Sequence, residues 1–541
     1  MQDRLKDLEK REFDVIIIGG GIAGAGVARD ATMRGLSTIL FEKGDFSIGT
    51  TSKSSKLIHG GLRYLELLDF GLVRESLRER EILQRLAPHL IYPLPFLIPV
   101  YRGDRRNLTS IRIGIKLYDF LRPDKKGDHY RILSKDETLH QEPHLEDRDL
   151  KGAGFYYDDL VLSPERLCLE NILSARRHGA MVFNYTSVID FIKKGRSFSG
   201  VRVRDLFSHQ VQEVKGKIIV NATGPWVDQV RQMAGLDGNG LLRKTKGIHL
   251  VIPKLTNRAI YTLAKKDERM FFIIPWRDFS LIGTTDTDYD DNLDKIWADP
   301  WEVDYLFEET RRVLSKTKVH KEDIFYTYAG VRPLAAEEGK RESDISRKHR
   351  VYEEGDLKDF LSIVGTKITT YRSMAEKVVN RICGKLGRRV ACRTHEIALN
   401  SETSMGDLEM SLFENLERIS SGYGIGPAQG EALIQIYGPR FLDVLELTKA
   451  EPGLKERLCP KNPDIKAQVK YSVENEMALK LTDFMLRRTG IGTSECVGRD
   501  CCEGIAELMG KYLGWDRERR EQEIKEYLEE IELGQRFRRP L

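Results

Sequence analysis

The chain has 541 residues, 40% of them hydrophobic and 31% charged, with Lys plus Arg at 87 against Asp plus Glu at 83. That composition excludes a disordered or low-complexity chain, argues for two to four domains at roughly 100 to 200 residues each, and leaves no excess of positive charge of the kind that binds nucleic acid. Met1 to Glu12 has no apolar stretch that would serve as a signal peptide, the longest apolar runs fall far short of the roughly 20 residues of a membrane-spanning helix, and the seven cysteines have no framework spacing, so the expected location is cytoplasmic with any membrane contact peripheral.

The first elements in chain order form a βαβ unit: a β-branched run at Asp14 to Ile18, a glycine-rich turn, a helical stretch at Val27 to Arg34 and a second apolar run at Ser37 to Phe41. The turn Gly19-Gly20-Gly21-Ile22-Ala23-Gly24 fits GxGxxG in the context that motif requires. Gly19 permits the tight turn, Gly21 lets backbone approach a pyrophosphate, and Gly24 allows the helix to pack closely on the strand. Glu42 follows Gly24 by 18 positions, at the end of the second strand, where a carboxylate can accept ribose hydroxyls. The unit predicts a dinucleotide site and does not by itself separate NAD from FAD.

Leucines at helical spacing predict an amphipathic helix over Leu72 to Leu86, stopped before Pro88. Residues 101–126 carry eight Arg or Lys against three Asp, interleaved with Ile111, Ile113, Ile115, Leu117, Tyr118, Phe120 and Leu121. Such a segment suits either an anionic lipid surface or a solvated helical hairpin. Strand and helix alternate again from Asp158, with a helix at Arg166 to His178 and strands at Met181 to Asn184, Gly200 to Arg204 and Gly216 to Ala222. Ile248 to Ile252, Met270 to Ile274 and Ser280 to Thr284 read as a second, sheet-based layer. After about Val390 the periodicity is helical, at Asp407 to Ile419, Ala428 to Ile436, Val473 to Arg488 and Glu503 to Leu513. Cys459, Cys496, Cys501 and Cys502 fall in this last part; adjacent Cys501 and Cys502 fit no CxxC pattern, so they read as packed thiols and no metal is expected.

Four segments carry a family resemblance: TSKSSKLIHGGLRYLE at Thr51 to Glu66, the turn Ala222 to Trp226, YAGVRPL at Tyr328 to Leu334 and GTKITTYR at Gly365 to Arg372. Together they resemble the FAD-dependent glycerol-3-phosphate dehydrogenases across most of residues 12–385, with a weaker echo at Tyr471 to Arg488 and Gly504 to Tyr527. The resemblance implies an α/β fold with a Rossmann-like FAD-binding domain of the D-amino acid oxidase type (residues 12–90, 150–230 and 330–385), a sheet-based substrate-binding cap (91–149 and 231–329) and an all-α C-terminal domain (390–541). It implies FAD as cofactor, with contacts at Gly19, Gly21, Ile22, Ala23, Gly24, Glu42, Lys43, Thr51, Ser52, Lys56, Leu57, His59, Gly60, Gly61, Val188, Ala222, Thr223, Gly224, Trp226, Lys367, Ile368 and Thr369.

Oxidising the C2 carbinol of glycerol 3-phosphate to dihydroxyacetone phosphate requires a hydride acceptor at flavin N5, a base for the hydroxyl proton and cations for the phosphate. Arg332, before the rigid Pro333, offers a guanidinium fork for phosphate oxygens. Arg63 and Tyr64 follow the Gly60-Gly61 pair and are expected at the substrate, as is Thr369; Lys367 is expected either to stabilise negative charge at the pyrimidine end of the reduced flavin or to contact the phosphate. His249 and His59 compete for the base, with His249 preferred because the loop bearing His59 is placed to grip the cofactor. The resemblance further implies electron transfer to a membrane quinone at a peripheral membrane surface, and a homo-oligomer. Oxygen as acceptor, an amine or 2-hydroxy acid oxidase of the same superfamily, and a noncatalytic flavin-bound scaffold stand as alternatives.

Overall fold

The computed structural model describes residues 4–123, 130–195, 197–236, 238, 240–336, 348–354, 357–400 and 416–538. Two large sheets organise it. At the centre of the first, β1 (Glu12–Ile18) has every residue after Glu12 buried, the pattern of a parallel strand covered on both faces. It pairs in parallel with β2 (Thr38–Phe41) on one side and with Val211–Asn221 on the other; Met181–Phe183 and Leu357–Val364 extend the parallel sheet outward. Helix α1 (Ile22–Met33) makes the crossover from β1 to β2 and packs between the helices Pro164–Arg177 and Tyr371–Lys385.

Strand order reverses between β1 and Val211–Asn221, and it is at such a switch point that α/β sheets bind ligands. The two strand ends touch there: a Cβ on Gly19, whose φ is +106°, would lie 2.7 Å from the Ala222 carbonyl oxygen. The glycine turn and the distant Ala222-Thr223-Gly224 turn therefore form one crevice.

The second sheet is built on the long strand Leu242–Pro253, paired antiparallel with Tyr326–Ala335 on one edge and Phe279–Gly283 on the other. It continues through Met270–Trp276 and Ala259–Leu263 to Ile91–Tyr101 and Leu150–Val161. Two segments differ from the sequence expectation: Leu150–Val161 and Tyr326–Ala335, assigned wholly or partly to the cofactor domain, are strands of this second sheet. Their alternation reads equally well in either sheet; partner choice is set by long-range register, which a local pattern does not contain.

The amphipathic helix is found at Phe70–Leu86, its Asp69 side chain capping the Leu72 N–H. In the basic segment, helix Leu108–Phe120 forms, whereas Asp124, Lys125 and Lys126 lie outside the described residues. The C-terminal part contains helices Pro427–Tyr437, Phe441–Ala450, Lys466–Glu476, Cys502–Leu513 and Arg517–Gln535. Most of the helix expected at Asp407 to Ile419 lies outside the described residues; Leu416–Tyr423 is helical. The continuous helix expected at Val473 to Arg488 is broken, because Met477 adopts a left-handed conformation and Phe484–Arg488 is a wide π-turn. A small hairpin, Arg457–Cys459 with Asn462–Ile465, interrupts the all-helical pattern.

The break at Met477 has an electrostatic counterpart. Asp45, fully buried just beyond β2, receives Arg487 Nε at 2.6 Å and Arg488 Nη1 and Nη2 at 2.8 and 2.9 Å. Arg487 also binds Asp483 at 2.7 Å, and Asp483 accepts from the Tyr185 hydroxyl at 2.5 Å. The wide turn brings two consecutive arginines onto one carboxylate, locking the C-terminal domain to the first sheet. Apolar packing joins it to the second: Phe484, Met485, Tyr527 and Ile531 share a core with Tyr156, Trp276, Tyr326 and Tyr328.

Candidate active site

At the first crevice, Gly21 stands in extended conformation before α1 with no side-chain cap, so the positive end of the helix dipole faces the crevice. Ile22 N–H donates to Thr51 Oγ1 at 3.1 Å, which ties the TSKSS segment to the helix start. A Cβ on Gly24 would lie 1.9 Å from the Gly19 carbonyl, so close helix-to-strand packing requires this glycine. Glu42 is buried and accepts from the N–H groups of Gly20 (2.7 Å) and Gly44 (2.9 Å). Burial pushes its carboxyl above the usual range, against the pull of those donors.

Across the crevice, Gly224 sits at φ +58° with nothing within 4 Å of the position a Cβ would take. Trp226 Nε1 is buried without a hydrogen-bond partner, and the Lys43 ammonium lies 4.4 Å from the Trp226 ring centroid while pairing with Asp294 at 2.6 Å. An anion-attracting helix start, a carboxylate at the ribose position, open space at Gly224 and an orphaned indole N–H fit the adenosine diphosphate half of a dinucleotide. Val188 packs among Phe191, Val201 and Val203 on the far core of the first sheet, so only its backbone is available to a ligand.

The loops bearing His59 and Thr369 are joined by a hydrogen bond from the His59 N–H to Thr369 Oγ1 at 3.2 Å. Behind them, Gly60 N–H reaches Asp158 Oδ1 at 3.3 Å, and that carboxylate also takes Tyr118 OH at 2.7 Å and Arg80 Nη1 at 2.8 Å. A Cβ on Gly60 would meet the Tyr118 hydroxyl and Leu77, so this glycine accommodates packing from behind the loop. Gly61, at φ +79°, turns the chain so that Tyr64 folds back over it, and Lys367 Nζ lies 3.7 Å from the Tyr64 ring centroid. Arg63 lies in the same short turn, Leu62–Leu65, and is partly exposed. Ser52, Leu57 and Ile368 lie in these same loops; Leu57 is the start of a two-residue strand on Leu150–Val161.

Lys56 differs from its expected role. Its side chain is buried, ion-paired with Glu165 at 3.3 Å, and lies 4.8 Å from the Trp276 ring centroid. Burial lowers its affinity for the proton, opposed by Glu165. The backbone at Lys56 is left-handed, with φ +57°, and its ammonium lies near the Tyr328 ring, 5.8 Å from the centroid.

On the second sheet, alternation and register place the chemical groups on one face. His249 stands opposite Tyr328, Gly247 opposite Gly330, and Thr245 opposite Arg332. The glycine pair makes room: a Cβ on Gly247 would lie 2.1 Å from Arg332 Nη2, and one on Gly330 2.5 Å from Lys53 Cβ. Arg332 is oriented by Asp286 (Nη1, 3.1 Å), by Thr284 Oγ1 (Nη2, 2.7 Å) and by the Thr285 carbonyl (3.1 Å). His249 stacks on Tyr328 at 4.9 Å and its Nε2 lies 2.8 Å from Ser55 Oγ. Its Nδ1 is buried without a partner. Burial, with the positive charges of Arg332 and Lys56 nearby, holds its pKa well below the ordinary histidine value, so the imidazole is neutral and able to accept a proton.

Sequence reasoning missed Tyr328, Ser55, Thr284 and Asp286 as positioning groups. Tyr328 donates to the Ser54 carbonyl at 2.8 Å, and Thr50 donates to the Val331 carbonyl at 2.6 Å, docking the TSKSS loop on the substrate sheet. The polar run Thr284-Thr285-Asp286-Thr287-Asp288, directly after a strand, was the signal for the Arg332 clamp.

This pairing of a parallel-sheet nucleotide crevice with a second, largely antiparallel sheet defines a flavin-dependent oxidoreductase, and the family described as FAD dependent oxidoreductase matches residues 14–354. The C-terminal domain of alpha-glycerophosphate oxidase matches residues 392–520. A glycerol-3-phosphate dehydrogenase of Synechocystis sp. is 40% identical over 97% of each chain, and an aerobic glycerol-3-phosphate dehydrogenase of Staphylococcus saprophyticus is 37% identical over 90% of this chain and 88% of its own. The crystal structure of the glycerol-3-phosphate dehydrogenase from Bacillus halodurans complexed with FAD superposes with a TM-score of 0.81 at 27% identity, covering 98% of this chain and 97% of that one. The chain belongs to the FAD-dependent glycerol-3-phosphate dehydrogenase family.

Proposed function

We propose that the protein oxidises sn-glycerol 3-phosphate to dihydroxyacetone phosphate, using the face that carries His249 and Arg332. The observation that carries this reading is the shared register of a neutral buried histidine and a clamped arginine, against which the loop of Thr50, Ser54 and Ser55 docks. FAD would supply the acceptor for the hydride, with its two electrons, that leaves C2. Arg332, assisted by Arg63 and Lys367, holds the phosphate; His249 Nδ1 takes the hydroxyl proton; His59 and Thr369 steady the two loops. Steady-state assays on glycerol 3-phosphate, glycine and 2-hydroxyglutarate test the substrate class. Turnover confined to glycerol 3-phosphate is expected; preference for glycine or 2-hydroxyglutarate overturns the assignment.

The depressed histidine pKa gives a pH signature. A base whose pKa is lowered stays deprotonated to lower pH, so the acid limb of kcat/KM is expected below the ordinary histidine value of about 6.5, with a plateau from about pH 6.5 to 8. His249→Asn is expected to slow flavin reduction by about 100- to 10,000-fold, the usual range for a general base, while FAD remains bound. Reduction at the parental rate with an unchanged pH profile rules the role out.

Electron delivery to a membrane quinone is the acceptor reading we propose, supported by the surface beside the site. Beyond Tyr64 the chain exposes Leu67, Leu68 and Phe70, and the adjacent helix Leu108–Phe120 exposes Ile113 and Phe120, the last two at 63% and 73%. Arg105, Arg112 and Lys116 are exposed in and beside that helix. An apolar patch with basic neighbours suits peripheral attachment to anionic lipid. Among the described residues no helix is long and apolar enough to cross a membrane. The protein is expected to float with anionic liposomes, and Ile113→Asp with Phe120→Asp to shift it to the soluble fraction with solution activity retained. The match of the C-terminal domain to an oxidase domain keeps oxygen as a second reading; rapid reoxidation of the reduced flavin by a short-chain quinone and slow reoxidation by air distinguishes the first. A homo-oligomer remains part of this proposal, testable by sedimentation.

A further inference from the structure

The cysteines of the C-terminal domain are not scattered in space. Cys459 closes the first strand of the small hairpin, Cys496 and Cys501 lie in the irregular loop before helix Cys502–Leu513, and the structure brings them together. Cys459 Sγ lies 3.7 Å from Cys496 Sγ and 3.7 Å from both carboxylate oxygens of Asp500. Ligand atoms of Cys459, Asp500 and Cys501 all fall within 4.8 Å of one another, and Cys496 adjoins this group through its contact with Cys459. In a tetrahedral site with metal–sulfur bonds of about 2.3 Å, adjacent sulfurs are separated by about 3.8 Å. A disulfide needs about 2.05 Å and leaves the third thiol unexplained.

Hydrogen-bond donors are aimed at two of the sulfurs. Lys461 N–H donates to Cys459 Sγ at 3.4 Å, and Asn462 Nδ2 donates to Cys459 Sγ at 3.2 Å and to Cys496 Sγ at 3.6 Å. Ser494 Oγ lies 3.3 Å from Cys496 Sγ. Donors aimed at sulfur are the outer contacts that orient and stabilise metal-bound thiolates. Cys501 and Cys502 each lie near a backbone carbonyl, Cys501 Sγ at 3.6 Å from Gly498 and Cys502 Sγ at 3.7 Å from Arg499, but only Cys501 falls within the group formed with Cys459 and Asp500. There is also a mechanical need, since a two-stranded hairpin of this size is not stable alone, and the loop facing it contains Val497 and Gly498 at positive φ.

We propose that Cys459, Cys496, Asp500 and Cys501 bind one zinc ion in a closed tetrahedral site that staples the hairpin to the loop. This replaces the sequence reading of packed thiols without a metal, which the absence of a CxxC pattern had suggested. The exposed Asp500 carboxylate is the route by which the ion enters. Elemental analysis of the full-length protein purified without chelator is expected to give about one zinc per chain. Cys459→Ser and Cys501→Ser are expected to lose it, and Cys502→Ser to keep it. Because the first two variants can fail to fold, the parent protein is also exchanged with cobalt(II); the long-wavelength d–d bands of tetrahedral thiolate-bound cobalt, beyond the flavin absorbance, are expected. Less than about 0.1 metal per chain with no cobalt bands, a Cys459–Cys496 disulfide by mass spectrometry, or iron with acid-labile sulfide each overturns the proposal.

Discussion

Replacing Arg332 by Ala is expected to lower kcat/KM for glycerol 3-phosphate by about 30- to 1,000-fold, corresponding to the roughly 2–4 kcal/mol lost when one partner of a desolvated charge pair is removed. The magnitude follows from position. The guanidinium is mostly buried over Gly247, and Asp286, Thr284 and the Thr285 carbonyl fix its plane, so little ordering remains to be done when a phosphate arrives. Arg332→Lys keeps the charge and loses the fork, and an intermediate defect is expected. Bound FAD, measured by absorbance, is expected to be unchanged in both variants, because Arg332 lies on the second sheet and the nucleotide crevice on the first. An Ala variant within threefold of the parent removes Arg332 from substrate recognition.

The second large effect concerns stability. Asp45→Ala removes the carboxylate shared by two buried arginines, leaving Arg487 with Asp483 and Arg488 with Glu476, and is expected to destabilise the fold by about 3 kcal/mol, the lower end of the usual cost of breaking a buried ion pair from one side. Guanidinium denaturation followed by tryptophan fluorescence measures it, and flavin release is expected to advance together with unfolding. Burial alone would raise the Asp45 carboxyl; Arg488 and Arg487 overcome that and hold it at about 2, below the ordinary value of about 3.9. A carboxyl with a lowered folded pKa stabilises above its unfolded pKa and loses that contribution as pH falls toward the folded one. The parent is therefore expected to lose this increment between about pH 5 and pH 2, while Asp45→Ala shows a shallower slope over the same window. Equal slopes contradict the assignment.

Much of the cofactor crevice was legible in the sequence, because its parts are local. The strand, the three glycines and Glu42 lie within one βαβ unit, and Gly19 and Gly24 are each demanded by a backbone contact a Cβ would violate. The Ala222 turn was legible only through resemblance, since its adjacency to Gly19 depends on the strand order. The substrate face is different in kind. Arg332 and His249 were named as single residues, but their common face arises from the pairing of Leu242–Pro253 with Tyr326–Ala335, and no periodicity within either strand encodes that register. Lys56 shows the same limit: the loop it belongs to was identified, while its left-handed backbone and the pairing of its ammonium with Glu165 left no mark in the sequence pattern. The gathering of Cys459, Cys496 and Cys501 across 42 residues of chain is a third case, in which spacing rules for contiguous motifs had nothing to detect.

Anaerobic mixing of the purified yellow holoenzyme with glycerol 3-phosphate tests the central claim most directly. The expected result is rapid bleaching of the flavin absorbance, complete at about one substrate per flavin and slowed in His249→Asn and Arg332→Ala. A flavin that stays oxidised in the presence of excess glycerol 3-phosphate, yet is reduced by dithionite, contradicts the account.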